Sequence, residues 1–112
     1  MDCVFCNILS GDIPSNKIYE DDDVLAFFEI DPQAPIHFLV IPKKHISGCT
    51  EVNSENSVVV SKCFEIIAKL ASELSLDFGF RVVLNSGEDA GQTVPHIHFH
   101  VLAGRSLAWP PG

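Results

Sequence analysis

The sequence predicts an α+β fold in which an antiparallel sheet packs against one long helix. Short apolar segments bounded by turn residues lie on both sides of a single stretch with helical periodicity. A third observation is the strict alternation of histidine and apolar residues from His96 to Val101, which is the pattern of a strand. Strands, one helix and further strands in this order are typical of an α+β domain with an antiparallel sheet.

Five segments are predicted to be strands. The turn sequences SGDIPSN and IDPQAP separate the first three, which we expect to form a meander, and SLDFG precedes the fourth. The predicted strands are KIYE (17–20), DVLAFFEI (23–30), HFLVIPKK (37–44), FRVVLN (80–85) and HIHFHVLAG (96–104). The tail SLAWPPG is not expected to extend the sheet, because Pro110 and Pro111 have no amide hydrogen to donate.

The long helix is predicted over residues 54–74. Its apolar face is formed by Val59, Cys63, Ile66, Ile67, Leu70 and Leu74. Of the two isolated cysteines, Cys63 lies on this face, and we predict that both Cys49 and Cys63 are core residues.

Length and composition restrict the possible classes of protein. A chain of 112 residues, 46% hydrophobic, predicts one domain over residues 1–112. The net charge of −8, with only seven Lys and Arg, argues against a general nucleic-acid binder. An acid near the amino terminus where a signal peptide has basic residues, and the lack of a long apolar run, lead us to expect a cytoplasmic protein without a membrane span.

The histidine row is the strongest functional feature of the sequence. In a strand, His96, His98 and His100 point to one face, and the apolar residues between them point to the other. Two interpretations remain open from the row alone. Alternate histidines can bind a metal such as zinc, and an imidazole can also attack phosphorus or donate to phosphate oxygens.

The loop NSGEDAGQTV, which directly precedes the row, favours phosphoryl chemistry. Its glycines permit close backbone approach, and Asn85, Gln92 and Thr93 provide amide and hydroxyl groups. Oriented donors around an anion are what phosphoryl transfer requires.

The chain resembles the histidine triad superfamily of nucleotide hydrolases and transferases. HIHFHVL fits the superfamily motif of three histidines that alternate with apolar residues. The segments DPQAPIHFLVIPKKHI and NSGEDAGQTV and the ending WPPG are similar to the Hint branch, so the resemblance covers nearly the whole chain. It implies a purine nucleoside phosphoramidase and a homodimer whose sheet continues across the interface, with Trp109 reaching the partner's site.

The resemblance also implies roles for individual residues. His98 would be the nucleophile, His100 would hydrogen-bond the phosphate, His96 would orient its neighbours, and Thr93 would stand near the leaving group. Glu29 would bind the ribose where the branch usually has Asp. The implied nucleotide-binding set is Val4, Phe5, Ile8, Phe27, Glu29, Ile30, Asn85, Gly91, Gln92, Thr93, His98, His100 and Trp109.

The C-x-x-C pair at Cys3 and Cys6 leaves metal binding or redox chemistry open from the residues alone. The resemblance implies that Cys3, Cys6, His45 and His96 form a structural zinc site. His37 lies in a stretch similar to the family and is expected to support the site or to belong to the core.

Two alternative functions are compatible with the sequence. The same chemistry could act on dinucleoside polyphosphates or transfer a nucleotidyl group. The protein could also be a nucleotide-binding regulatory partner whose hydrolysis is incidental.

Overall fold

A computed structural model describes residues 3–112 and confirms the α+β class. It contains two α-helices, a five-stranded sheet and a 3-10 helix at Cys49–Glu51. The elements, in chain order, are α1 (Val4–Ser10), β1 (Lys17–Glu20), β2 (Val24–Phe28), β3 (Ile36–Pro42), α2 (Ser57–Glu73), β4 (Phe80–Val83) and β5 (Phe99–Ala103).

The sheet is antiparallel throughout, with strand order β1-β2-β3-β5-β4. The first three strands form the predicted meander. Helix α2 then leads from β3 to the far edge of the sheet, so β5 rather than β4 lies beside β3. In this register Leu39 faces His100, and Val40 faces Phe99. The histidine row therefore lies next to β3, near the middle of the sheet.

The two faces of the sheet have different partners. One face packs against α2 through a core of Val24, Ala26, Phe38, Val40, Ile46, Val59, Cys63, Ile66, Ile67, Leu70, Ile97, Phe99 and Val101. The other face packs against α1 through Cys3, Phe5, Ile8, Leu25, Phe27, Leu39 and Ile41. Alternation along each strand separates the two sets, as period-two patterning requires. The histidine row lies on the α1 face.

The strand predicted over residues 96–104 begins at Phe99, three residues later than expected. The ladder with β3 ends there because Pro42, in the last position of β3, has no amide hydrogen to donate. The carbonyl of Pro42 instead accepts a hydrogen bond from the ring of His96 at 2.8 Å. The amide of Ile97 bonds to the carbonyl of Ile46. The alternation of faces nevertheless continues back to residue 96.

Helix α1 was not predicted. The thiol of Cys3 caps its amino terminus by accepting the amide hydrogen of Cys6, and Gly11 ends the helix in the left-handed conformation at φ +89°. Helix α2 begins at Ser57 rather than residue 54. The side chain of Asn53 accepts the amides of Glu55 and Asn56, which holds the preceding residues in a turn.

The prediction for the isolated cysteines is half right. Cys63, on the inner face of α2, is fully buried, whereas Cys49 is exposed in the 3-10 helix, so the prediction for Cys49 is wrong. The predicted strand-free tail, residues 106–112, is confirmed. Over residues 3–112, no helix has the length and apolar character needed to cross a bilayer.

Candidate functional site

The structure brings the four predicted metal ligands together. Cys3 and Cys6 lie at the start of α1, His45 follows β3, and His96 precedes β5. The Sγ atom of Cys6 is 3.3 Å from Nδ1 of His45 and 3.7 Å from Nδ1 of His96, and Sγ of Cys3 is 3.5 Å from Nδ1 of His96. All four ligand atoms lie within 4.8 Å of one another. We call these four side chains, which together could hold a metal ion, the metal cluster.

The protonation of the metal cluster suits a cation. Because His96 donates from Nε2 to the carbonyl of Pro42, its Nδ1 carries a lone pair that faces the thiols. Burial and the neighbouring Cys3 raise the pKa of the Cys6 thiol, so two thiolates at this separation need a cation to compensate them. Two sulfurs and two imidazole nitrogens form a common closed tetrahedral ligand set.

His98 carries its lone pair on the other ring nitrogen. Its Nδ1 donates to the carbonyl of His96 at 2.7 Å, which leaves Nε2 without a proton in the neutral ring. The side chain is only 5% exposed, and the ring of Phe5 meets it edge-on with centroids 5.0 Å apart. The Nε2 atom of His98 is therefore an oriented nucleophile or base.

His100 is arranged in the opposite sense through His37. The amide of Gln33 donates to Nδ1 of His37 at 3.0 Å, so neutral His37 carries its proton on Nε2. That nitrogen is 2.9 Å from Nδ1 of His100, which must accept the bond. His100 then carries its own proton on Nε2 and can donate it to a ligand.

Burial keeps this pair of histidines neutral. It lowers the pKa of His37, and burial together with His98 and His37 lowers the pKa of His100 to about 4. Glu29 places a carboxylate oxygen within 4.8 Å of the pair. In the free protein, the Nε2 atom of His37 that faces His100 carries a proton, so it donates to His100 rather than offering a lone pair to an ion.

A cavity of about 560 Å³ opens on the α1 face beside His98 and His100. Its volume is in the range of small-molecule sites. One part is mainly apolar, and the other carries polar groups from the segment that follows β2, the histidine row and the loop before that row. Eleven of the thirteen predicted nucleotide-binding residues line it: Val4, Phe5, Ile8, Phe27, Glu29, Ile30, Asn85, Gly91, Thr93, His98 and His100.

Gln92 and Trp109 are not among the cavity residues of the described chain. The side chain of Gln92 is bonded to the main chain. Its Oε1 accepts the amide of Gly87 at 3.0 Å, and its Nε2 donates to the carbonyls of Ser47 and Val94. Gln92 thus braces the loop before the histidine row. Trp109 is 81% exposed in the tail.

Sequence reasoning missed the main-chain groups that fix the ring protons. Three main-chain groups determine which ring nitrogen has no proton. They are the carbonyl of Pro42 for His96, the carbonyl of His96 for His98 and the amide of Gln33 for His37. The turn sequence DPQAP before His37 was a weak signal for the last of them, since such turns expose amide hydrogens.

Comparison with known proteins decides the family. A HIT domain model matches residues 10–107. The chain belongs to the histidine triad (HIT) family. An uncharacterized HIT-like protein of Synechococcus elongatus is 44% identical over 111 residues, which are 99% of this chain and 97% of that protein.

Solved HIT structures share the fold. A HIT family hydrolase from Legionella pneumophila Philadelphia 1 superposes with a TM-score of 0.96 at 45% identity, covering 99% of this chain and 100% of that one. A histidine triad nucleotide-binding protein from Candida albicans has a TM-score of 0.83 at 33% identity, covering 97% and 83%. These similarities support a hydrolase-like role for this HIT protein.

Proposed function

We propose that this HIT protein, acting as a single HIT domain over residues 1–112, is a purine nucleoside phosphoramidase. It cleaves the bond between phosphorus and nitrogen in substrates such as an AMP amide, through a nucleotidyl-histidine intermediate. One observation carries the proposal: two adjacent imidazoles in one cavity present opposite groups, a lone pair at Nε2 of His98 and a proton at Nε2 of His100.

The first step forms a bond between Nε2 of His98 and the α-phosphorus and breaks the P–N bond. The ring gains positive charge, and the carbonyl of His96 stabilises that charge through its bond to Nδ1. The amine leaves with a proton, for which the Thr93 hydroxyl in the cavity lining is the candidate donor. Water then attacks the same phosphorus as the bond from phosphorus to Nε2 of His98 breaks, and it returns a proton to the Thr93 oxygen, so that AMP is released and both side chains are neutral again.

His100 and Asn85 are placed to hold the phosphate oxygens. Each lines the cavity and has a donor group available, and His100 brings no charge of its own because its pKa is about 4. A neutral donor stabilises charge that develops in the transition state without binding the ground-state anion too tightly. We propose that the carboxylate of Glu29 accepts hydrogen bonds from the ribose hydroxyls.

The apolar part of the cavity suits a purine ring. Phe5 and Ile8 from α1 and Phe27 from β2 are buried, while Val4 and Ile30 form an exposed rim. A purine base is flat and aromatic, so contact with these side chains would bury it away from water, and the base would need no charged partner there. The Candida relative's description as nucleotide-binding supports this proposal.

We propose zinc as the ion of the metal cluster. Cys3, Cys6, His45 and His96 would hold it, and zinc would supply a structural cross-link between α1 and the segment before β5. A reducing cytoplasm would keep both thiols available, so we propose a cytoplasmic protein.

We further propose a homodimer. The edge strand β4 has half-buried or exposed residues throughout, and an uncovered edge of this kind invites pairing. The exposed Trp109 would then act at the partner's site. Sedimentation at micromolar concentration tests the first part. Turnover after deletion of residues 106–112 tests the second, and a fully active monomer without the tail would contradict both.

The function is tested by product analysis on two substrates, an AMP amide and a diadenosine polyphosphate. We expect the amide to be cleaved faster, with AMP and the free amine as products. A slow substrate, quenched during turnover, should leave an acid-labile adenylate on the peptide spanning residues 95–105.

Three results would overturn the proposal in different ways. Faster cleavage of the polyphosphate would indicate the alternative hydrolase. An adenylate on His100, or on no histidine, would exclude His98 as the nucleophile. AMP binding without turnover of either substrate would indicate a nucleotide-binding regulator.

A further inference from the structure

The direction of the hydrogen bonds at His100 is set by a group outside the histidine row. The chain of bonds runs from the amide of Gln33 to Nδ1 of His37, and from Nε2 of His37 to Nδ1 of His100. An amide N–H can only donate, and it does not titrate in the physiological range. Each ring therefore accepts a hydrogen bond at Nδ1 and carries its own proton on Nε2.

A different group at the position of Gln33 would reverse the chain. A carboxylate or carbonyl beside Nδ1 of His37 would place the proton of His37 on that nitrogen. Nε2 of His37 would then accept from Nδ1 of His100, and Nε2 of His100 would face the cavity as a lone pair. A lone pair there would repel phosphate oxygens. The amide of Gln33 thus decides whether His100 is a donor or an acceptor.

Arg105 holds Gln33 at its carbonyl, which belongs to the peptide unit that follows the one whose amide donates to His37. The guanidinium donates from Nη2 to the carbonyl of Gln33 at 2.9 Å and from Nη1 to the carbonyl of Ser106 at 3.0 Å. This joins the segment before β3 to the turn after β5. The two segments meet closely at Gly104, which has φ +95° and where an added Cβ would lie 2.9 Å from Cβ of Pro35.

We propose that the Gln33 amide and the Arg105 guanidinium are positioning groups that orient the proton of His100 towards the phosphate. Gln33 lines the cavity, but its main-chain amide is bonded to His37, and the Arg105 guanidinium is bonded to main-chain carbonyls. The effect of both groups passes through His37, whose ring is 5% exposed and bonded at both nitrogens. The consequence for turnover rests on the proposed function, whereas the proton positions belong to the free protein.

The first test reads the ring protons directly. Zinc-loaded protein with ¹⁵N-labelled histidine, free of nucleotide, is measured by long-range ¹H–¹⁵N correlation at pH 7. We expect His37 and His100 as Nε2–H tautomers and His98 as the Nδ1–H tautomer. A wild-type His100 that carries its proton on Nδ1 would overturn the proposal, whatever the protein hydrolyses.

Variants then test which groups impose the direction. Gln33→Pro removes the amide hydrogen, and Gln33→Ala keeps it while removing the side chain. We expect Gln33→Pro to give a mixture of His100 tautomers, and turnover to fall in proportion to the fraction that keeps the proton on Nε2, roughly two- to tenfold. Gln33→Ala should keep the wild-type tautomers and a kcat within about twofold, since the hydrogen bond from the amide to His37 is retained. Because the side chain lines the cavity, any contact that it makes with substrate would change KM instead.

Arg105→Ala provides a second route if Gln33→Pro does not fold. We expect about a fivefold loss of turnover with KM little changed, partial recovery in Arg105→Lys, and a measurable His100 Nδ1–H population. Lys69→Ala, which removes one positive charge from a surface ion pair on α2, is the matched control. If Arg105→Ala keeps wild-type tautomers and turnover, Arg105 has no positioning role. If the tautomers are as expected but no nucleotide is hydrolysed, the proposed function alone fails.

Discussion

The two ends of the histidine row use the same side chain in opposite ways. At the metal cluster, His96 donates its proton to a carbonyl and turns a lone pair towards two thiols. At the other end, His100 accepts a bond from His37 and turns a proton towards the cavity. One end offers lone pairs, which suit a cation, and the other offers a proton, which suits an anion.

The difference comes from the main chain rather than from the rings. An acceptor, the carbonyl of Pro42, stands beside His96, and a donor, the amide of Gln33, begins the chain that ends at His100. His98 lies between them and takes its orientation from the carbonyl of His96. A histidine motif therefore has a defined chemistry only once its backbone partners are known.

Removing the central histidine should have the largest effect. In His98→Asn the amide can still donate to the carbonyl of His96, but no nucleophile remains. We expect turnover to fall by roughly 1000-fold or more, with AMP affinity within about threefold of wild type, because ground-state contacts are kept. Single-turnover kinetics and calorimetry measure the two quantities. Near-native turnover would show that the motif order misassigns the nucleophile.

Breaking the metal cluster should mainly lower the stability of the fold, whereas the loss of His98 mainly lowers turnover. Cys6→Ser removes one ligand, and we expect the free energy of unfolding to fall by about 4 kcal/mol. This is the stabilisation that a bound metal gives when its free concentration is about 1000-fold above its dissociation constant. Elemental analysis and urea denaturation measure occupancy and stability. The exposed Cys49, replaced by Ser, is the control. Metal-free protein of wild-type stability would refute a structural metal.

Acid should destabilise the anion-binding end through His100. Its pKa is about 4 in the folded protein and near 6.5 when unfolded, so the unfolded state binds more protons between these values. Stability is thus lost as pH falls from about 6.5 to 4, by about 2 kcal/mol over most of that window. Urea denaturation at several pH values should show a smaller slope for His100→Asn. Equal slopes would mean that His100 is not a buried neutral base.

The smallest effect is expected at Gln92. Its side chain holds three main-chain groups, so Gln92→Ala should cost about 1 to 2 kcal/mol of stability. AMP affinity should be nearly unchanged, as the side chain is outside the cavity. A large loss of affinity without loss of stability would instead support the direct nucleotide contact implied by the resemblance.

The sequence was sufficient for the faces of the sheet but not for the partners of each ring. Alternation placed His96, His98 and His100 opposite the core residues, even though only His100 lies within the strand. The spacing of Cys3 and Cys6 left metal binding and redox chemistry open, and the set of four ligands came from the family resemblance. The prediction of the sheet faces depends on local periodicity, which a single sequence displays directly.

What could not be predicted depends on contacts between distant segments. Helix α1 has only seven residues and a thiol cap, so its propensity signal is weak, and it is held by packing on β2 and β3. The bond of Gln92 to Ser47 crosses 45 residues, and that of Arg105 to Gln33 crosses 72. Such pairs are set by strand order, in which β5 rather than β4 joins β3.

His96 connects the metal cluster to the cavity, since its ring lies in the cluster and its carbonyl accepts a hydrogen bond from His98, which lines the cavity. Binding at the two places is therefore subject to reciprocal linkage. If an ion at the cluster tightens nucleotide binding by some factor, nucleotide must tighten retention of the ion by the same factor. In a cell with abundant nucleotide, this protein would then keep its metal at lower free-metal concentrations. Bound nucleotide would thus stabilise the fold indirectly, by retaining the ion.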